Sequence, residues 1–221
     1  AACLIDRKQV ILVRNKKQDL LLNQSLGKLN AVREIFKAEY QALGSQLRQL
    51  VLTDYIRQDF EVHLGDKDAQ FTQLGVLSYF ESIHRESIEQ ATPPAIAVLT
   101  GSIVIIPTVA KPRLEELLGG NRLTYQNVGQ LSPDDFLKVR LVGSQHDLVT
   151  AVTHLFQEGL IQVVIGTKSL LGEGWDAPCV NSLILASFVG SFMLSNQMRG
   201  RAIRVWPEDP DKTSNIWHLV S

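Results

Sequence analysis

The feature that most limits the fold is the run HDLVTAVTHLFQEGLIQVVIG, residues 146–166. Leu148, Val152, Leu155 and Phe156 recur at spacings of three and four, the stripe of an amphipathic helix, and Gly159 supplies its stop. A strand, IQVVIG, then begins without a linker. Its Val163, Val164 and Ile165 leave it no polar face, so both sides must be covered. The strand candidates NSLILAS and NIWHLV follow, with a helix predicted over 196–203 between them. Helices alternating with apolar strands over short connections predict an α/β fold, a mostly parallel sheet flanked by helices in three layers.

The first half is read less evenly. KLNAVREIFKAEYQAL, residues 28–43, puts Leu29, Val32, Phe36, Tyr40 and Leu43 on one helical face, with Gly44 as the stop. LRQLVLTDYI contains a buried strand over 50–56. Residues 57–94 show helical periodicity only in the second half of FTQLGVLSYFESIHRESIEQ, ended by Pro93 and Pro94. AIAVLTGSIVIIP reads as one strand or a pair, with Gly101 as a turn or bulge. The region 111–145 carries Gly119, Gly120 and a short strand candidate at 136–142. The expected organisation is a lead-in or linker over 1–25 and one domain over 26–221, less regular at about 57–94 and 111–145. The chain opens without methionine in a structured-looking register, which predicts a piece of a longer polypeptide.

Composition excludes several classes. With 45% hydrophobic and 20% charged residues the chain is an ordinary globular one. A net charge of −1 does not advertise a nucleic-acid partner, so any such surface must be local. Cys3 and Cys179 are too few for a disulfide framework or a zinc site, and a reducing, cytoplasmic compartment is expected. The most apolar stretch, 95–110, is interrupted by Thr100, Gly101, Ser102 and Pro107 and is too short to span a bilayer. The five histidines show no metal spacing, and no metal site is expected; His154, beside a helix's apolar face, reads as structural.

VVIGTKSLLGEGWDAP looks like a phosphate loop but lacks the order of one. Lys168 follows Thr167 rather than a glycine, and no glycine stands at the required earlier position. SLGKLN has Gly27 and Lys28 but neither the upstream glycine nor a strand. No strand ends in the acidic pair that would hold magnesium, so the chain alone is not expected to hydrolyse a nucleotide. In SNQMRGRAIR, Gln197, Arg201 and Arg204 share one helical face, while Met198, Ala202 and Val205 form a stripe suited to the sheet. Gly200 leaves the backbone open beside the polar row. A glutamine and two arginines at the carboxyl end of a parallel sheet make a receptor for phosphate.

IGTKSLLGEGWDAP followed by QMRGRAIR resembles motifs V and VI of the superfamily 2 helicases and translocases. GKLNAVREIF and LRQLVLTDYI are similar to the helix and motif IV strand that open that family's second RecA-like domain. The match runs from about residue 26 to 220 with a loose middle, and GEGWD resembles the branch holding type III restriction motor subunits and related DEAD/DEAH-box proteins. The resemblance implies the C-terminal motor half of an ATP-dependent enzyme. ATP and magnesium would be bound mainly by an N-terminal RecA-like domain of the same polypeptide. Arg204, the choice for the arginine finger, and Arg201 would reach the γ-phosphate, and Gln197 would sense it or the attacking water. Gly174, Asp176 and Gly200 would lie at the nucleotide edge, with Asp176 near the ribose or coupled to the finger. Thr167 would bond a backbone phosphate of the nucleic acid, with Lys168 and Thr53 on the same track; DNA is favoured through resemblance alone.

Each residue has a plainer reading. The arginines could be a solvated face, Asp176 a turn cap before Pro178, Thr167 a bond to its own loop, and Lys168 and Glu173 solvated charges. Trp175 reads as a packing anchor rather than a base-stacking platform. Lys111, Arg113 and Arg122 read as a solvated loop rather than a basic rim. Two other functions stay open: a non-catalytic nucleic-acid-binding or scaffolding domain that kept the fold, and a Rossmann-type enzyme. The first is opposed by the intact arginines, the second by the lack of G-x-G-x-x-G.

Overall fold

The computed structural model describes residues 2–6, 9–13, 26–169, 175–187, 196, 199–200 and 204–219. β1 (Ala2–Asp6) and β2 (Gln9–Val13) pair antiparallel as a two-stranded sheet. The other described strands form an eight-stranded sheet.

Its first half is parallel. β3 (Gln49–Thr53), β4 (Ile96–Leu99), β8 (Val163–Thr167), β9 (Ser182–Leu185) and β10 (Asn215–His218) lie in the order β10-β9-β3-β8-β4. Every neighbouring pair among them runs parallel. Beyond β4 the sheet continues through β5 (Val104–Pro107), β7 (Phe136–Leu141) and β6 (Leu123–Gln126), each antiparallel to its neighbour. AIAVLTGSIVIIP is therefore a hairpin of two strands. Thr100 closes its turn around Gly101: the Thr100 hydroxyl oxygen accepts from the Ile103 N–H at 2.9 Å.

Successive side chains of each strand point to opposite faces of the sheet, and helices cover both. Val51, Ile96, Val98, Val163, Ile165 and Ile184 pack with α1 (Gly27–Leu43) and α2 (Val76–Ser87) in one core. Leu50, Leu52, Ala97, Leu99, Val164 and Leu183 pack in the other with α3 (Lys111–Leu118) and α4 (Gln145–Gln157). This is the three-layer α/β arrangement that the sequence pattern requires.

Local chemistry explains the ends of the elements. α4 buries Leu148, Val152, Leu155 and Phe156 completely, and Gly159 takes φ +84° after it. That left-handed backbone strains any other residue, and a side chain there would also have to push the Arg48 guanidinium aside. β10 is an exposed edge strand, held by Glu39 of α1. That buried carboxylate accepts from Trp217 Nε1 at 2.6 Å and Asn215 Nδ2 at 3.0 Å.

Three sequence readings need correction. The region 111–145 is more regular than expected, since it holds α3 and β6 besides β7. Val205 does not pack on the sheet but is 75% exposed, and because residues 204 and 205 are not helical whereas 196, 199 and 200 are, neither Val205 nor Arg204 continues the helical face predicted for it. His154 is exposed rather than set against the core. Among the described residues, no helix is long and apolar enough to cross a membrane.

Candidate functional site

The topology itself marks one edge. β3 and β8 are neighbours, yet the chain leaves them toward opposite faces. The β3 exit leads to α2, on the α1/α2 face, and Trp175, Ala177, Cys179 and Val180 of the β8 exit pack into the α3/α4 core. The carboxyl ends of adjacent parallel strands whose connections part in this way are the usual ligand position in open α/β sheets.

Thr53 and Thr167 end these two strands as register partners. Both are buried, so neither hydroxyl is presented openly to solvent. Thr167 Oγ1 lies 2.8 Å from Ser169 Oγ, and Ser169 is exposed. The loop-bonding reading of Thr167 thus describes its resting contact. The Lys168 N–H donates to the Thr53 carbonyl at 3.1 Å, which ties the strand ends together. Lys168 is no solvated charge: its side chain is 12% exposed and its Nζ lies 2.7 Å from Asp54 Oδ1.

The second half of the edge lies over α4. A cleft of about 320 Å³ is bounded by His146, Thr150, His154, Ser169, Trp175 and Asp176, among others. Trp175 forms its wall as a packing residue. It is 5% exposed, and its Nε1 donates to Thr153 Oγ1 of α4 at 2.7 Å. Burying the indole in this way points the next residue, Asp176, outward, where its Oδ1 meets Arg204 Nη1 at 2.7 Å. The two side chains are 48% and 50% exposed, so the guanidinium is held at a surface and not sealed in an internal pair. Gly200 has nothing within 4 Å of where a Cβ would stand, an open backbone position. Gln197, Arg201 and Gly174 lie outside the described residues, as do Glu173, Met198 and Ala202.

Of the remaining groups, Lys111, Arg113 and Arg122 make exposed ion pairs with Glu115, Glu116, Glu158 and Asp147 and do not gather into a basic rim. Burial pushes the Cys179 thiol up to about 12, which removes it as a nucleophile near neutral pH. Among the described residues, no group of three or more His, Cys, Asp or Glu side chains could hold a metal ion.

Sequence reasoning missed Asp54 and Ser169, which contact Lys168 and Thr167. Each stands within two residues of a predicted track residue, and that adjacency was the available signal.

No family model and no curated protein matches the chain. Among solved structures it is similar to the Pyrococcus furiosus Hef helicase domain, at TM-score 0.43 and 16% identity over 88% of this chain and 26% of that one. It is also similar to the C-terminal part of the Fun30 ATPase domain, at TM-score 0.48 and 15% identity over 94% of this chain and 43% of that one. The chain thus spans less than half the length of each of these two structures.

Proposed function

We propose that the chain is the second RecA-like domain of an ATP-dependent nucleic-acid helicase or translocase, contributing an arginine finger and part of the strand track. The observation that carries this reading is the Asp176–Arg204 pair, which joins the two motif-like segments at an open edge of the sheet. A guanidinium has five N–H donors, so Arg204 can keep Asp176 and still reach a phosphoryl oxygen presented from a facing domain. Charge spreads over those oxygens as the γ-phosphoryl leaves. A fixed planar cation there is worth about 10³–10⁵ in rate. Arg201 and Gln197 serve the same phosphate, and Gly174 and Gly200 allow close approach.

On the same edge, Thr167, Lys168 and Thr53 form the strand track, with DNA as the favoured strand. Phosphate contacts there carry affinity without reading sequence. ATP and magnesium are held mainly by an N-terminal RecA-like domain of a longer polypeptide, and hydrolysis waits for the two domains to close. The branch near type III restriction motor subunits is the favoured setting.

The test compares the 221-residue chain with the longer polypeptide that contains it. Strand-stimulated ATP hydrolysis is expected from the longer protein and not from the chain alone. A longer protein that binds a strand but never hydrolyses ATP would replace this reading with the non-catalytic one.

A further inference from the structure

Among the described residues, Arg57 is the one residue other than glycine with a positive φ, at φ 55° and ψ 68°. Backbone strain of this kind persists only where the surroundings enforce it, and it gathers where a side chain has to be aimed. What is aimed here is a guanidinium: Arg57 Cζ lies 4.7 Å from the centroid of the Tyr55 ring. Gly75 makes room for the stem, since a Cβ there would stand 2.5 Å from Arg57 Cγ and 2.8 Å from its Cβ. Arg57 Nε is buried with no hydrogen-bond partner among the described residues, and the side chain makes no ion pair with any of them. The ring and the turn place this guanidinium, not a carboxylate.

Tyr55 is 41% exposed. Its carbonyl accepts from the Val76 N–H at 2.7 Å, so the start of α2 fixes its backbone. It follows Thr53, whose carbonyl takes the Lys168 N–H, and Asp54, whose Oδ1 lies 2.7 Å from Lys168 Nζ. Three residues on, Gln58 Nε2 donates to Ser102 Oγ at 3.2 Å, in the turn between β4 and β5. β8 lies between β3 and β4, so the segment from Thr53 to Gln58 spans the carboxyl end of β8, where Thr167 stands. An exposed aromatic ring with a cation over it is thus fixed beside the residues of the track. Phosphate contacts give a ring face no role, whereas aromatic rings and guanidinium planes are the surfaces on which unpaired bases stack.

We propose that Tyr55 and Arg57 form a stacking platform for one nucleobase of the bound strand. This rests on the strand track proposed above and gives it a preference for unpaired strands, since a base inside a duplex has its faces covered by its neighbours. Backbone contacts then supply the salt-dependent part of affinity, and the stack supplies a part that needs a base.

The test uses the 221-residue chain and two fluorescein-labelled single strands of equal length, an oligothymidylate and a strand lacking every base, read by anisotropy over a series of salt concentrations. The unmodified chain is expected to bind the thymidylate about tenfold more tightly than the abasic strand, the worth of one stacked base. Tyr55→Ala is expected to remove that preference while leaving the abasic affinity, the salt slope and the melting temperature nearly as they were; Tyr55→Trp is expected to keep it. Arg57→Asn, whose side chain accepts the left-handed backbone, is expected to lose about threefold in thymidylate affinity alone. Equal binding of the two strands by the unmodified chain, with Thr167→Ala weakening both, would leave the track standing and overturn the platform. If Tyr55→Ala weakens both strands alike, Tyr55 serves the backbone or the fold and stacking is overturned. Unchanged thymidylate affinity in Arg57→Asn would overturn the guanidinium's share. If neither strand binds, track and platform fall together. If fluorescein-labelled AMP binds more tightly than the thymidylate and Tyr55→Ala abolishes that binding, the platform serves a mononucleotide and the strand assignment is overturned.

Discussion

Asp176 and Arg204 meet through Oδ1 and Nη1 at 2.7 Å, each about half exposed, although one follows the strand β8 and the other the helical segment near residue 200. An ion pair so open contributes about 0–1 kcal/mol to stability. Its value lies in aiming the guanidinium. Asp176→Asn is therefore expected to leave the melting temperature of the chain nearly unchanged while lowering strand-stimulated hydrolysis in the longer polypeptide. In an Arg204→Ala background the same change is expected to do nothing more, and turnover rates of the four proteins check this.

Thr167→Ala removes a neutral hydroxyl that lies within hydrogen-bond distance of Ser169 Oγ. Strand affinity at matched salt is expected to fall about threefold to tenfold, the worth of one hydrogen bond. The salt slope stays as it was, because no charge is lost. Fluorescence anisotropy at two salt concentrations separates this result from that of a lysine variant.

Trp175 packs rather than stacks on bases. Trp175→Phe loses the Nε1 bond to Thr153 and is expected to cost about 1 kcal/mol of stability, measured by denaturant unfolding. Its strand affinity is expected to match that of the unmodified chain. A loss of strand affinity at full stability would make Trp175 part of the track.

Acid sensitivity has an identifiable source in Glu81 of α2, which is 1% exposed. Burial pushes its carboxyl up, but His84, the Gly65 N–H at 3.0 Å and Arg85 at 2.8 Å outweigh that and hold it below the ordinary value. A carboxyl depressed in the folded state adds stability above its unfolded pKa of about 4.3, and that stability is lost as pH falls through the folded value. Glu81→Gln is expected to cost about 3–5 kcal/mol at pH 7, because Arg85 loses its charged partner. The gap to the unmodified chain should narrow as pH falls below 4, as read by thermal melts across that range.

How much of this was legible in the sequence depends on element length and on distance along the chain. α4 and β8 were readable because four fully buried residues set the helical stripe and Gly159 fixed the boundary. α3 was not, since Leu114 is its single fully buried residue and a proline stands at its start. β6 spans four residues with only Leu123 buried, too short to show a period. At the site, Asp176 and Arg204 could be named from their segments, but their contact depends on how Trp175 is buried. Asp54 and Lys168 are far apart along the chain and meet only because β3 and β8 are neighbours. Val205 misled because the apolar stripe continues in sequence to a residue that is not helical.

The most direct test of the account is single-turnover ATP hydrolysis by the longer polypeptide carrying Arg204→Ala, with a saturating strand and with nucleotide affinity measured separately. The account predicts a rate lower by about 10³–10⁵ with ATP affinity changed far less. An unchanged hydrolysis rate would contradict it and return Arg204 to the status of a surface cation paired with Asp176.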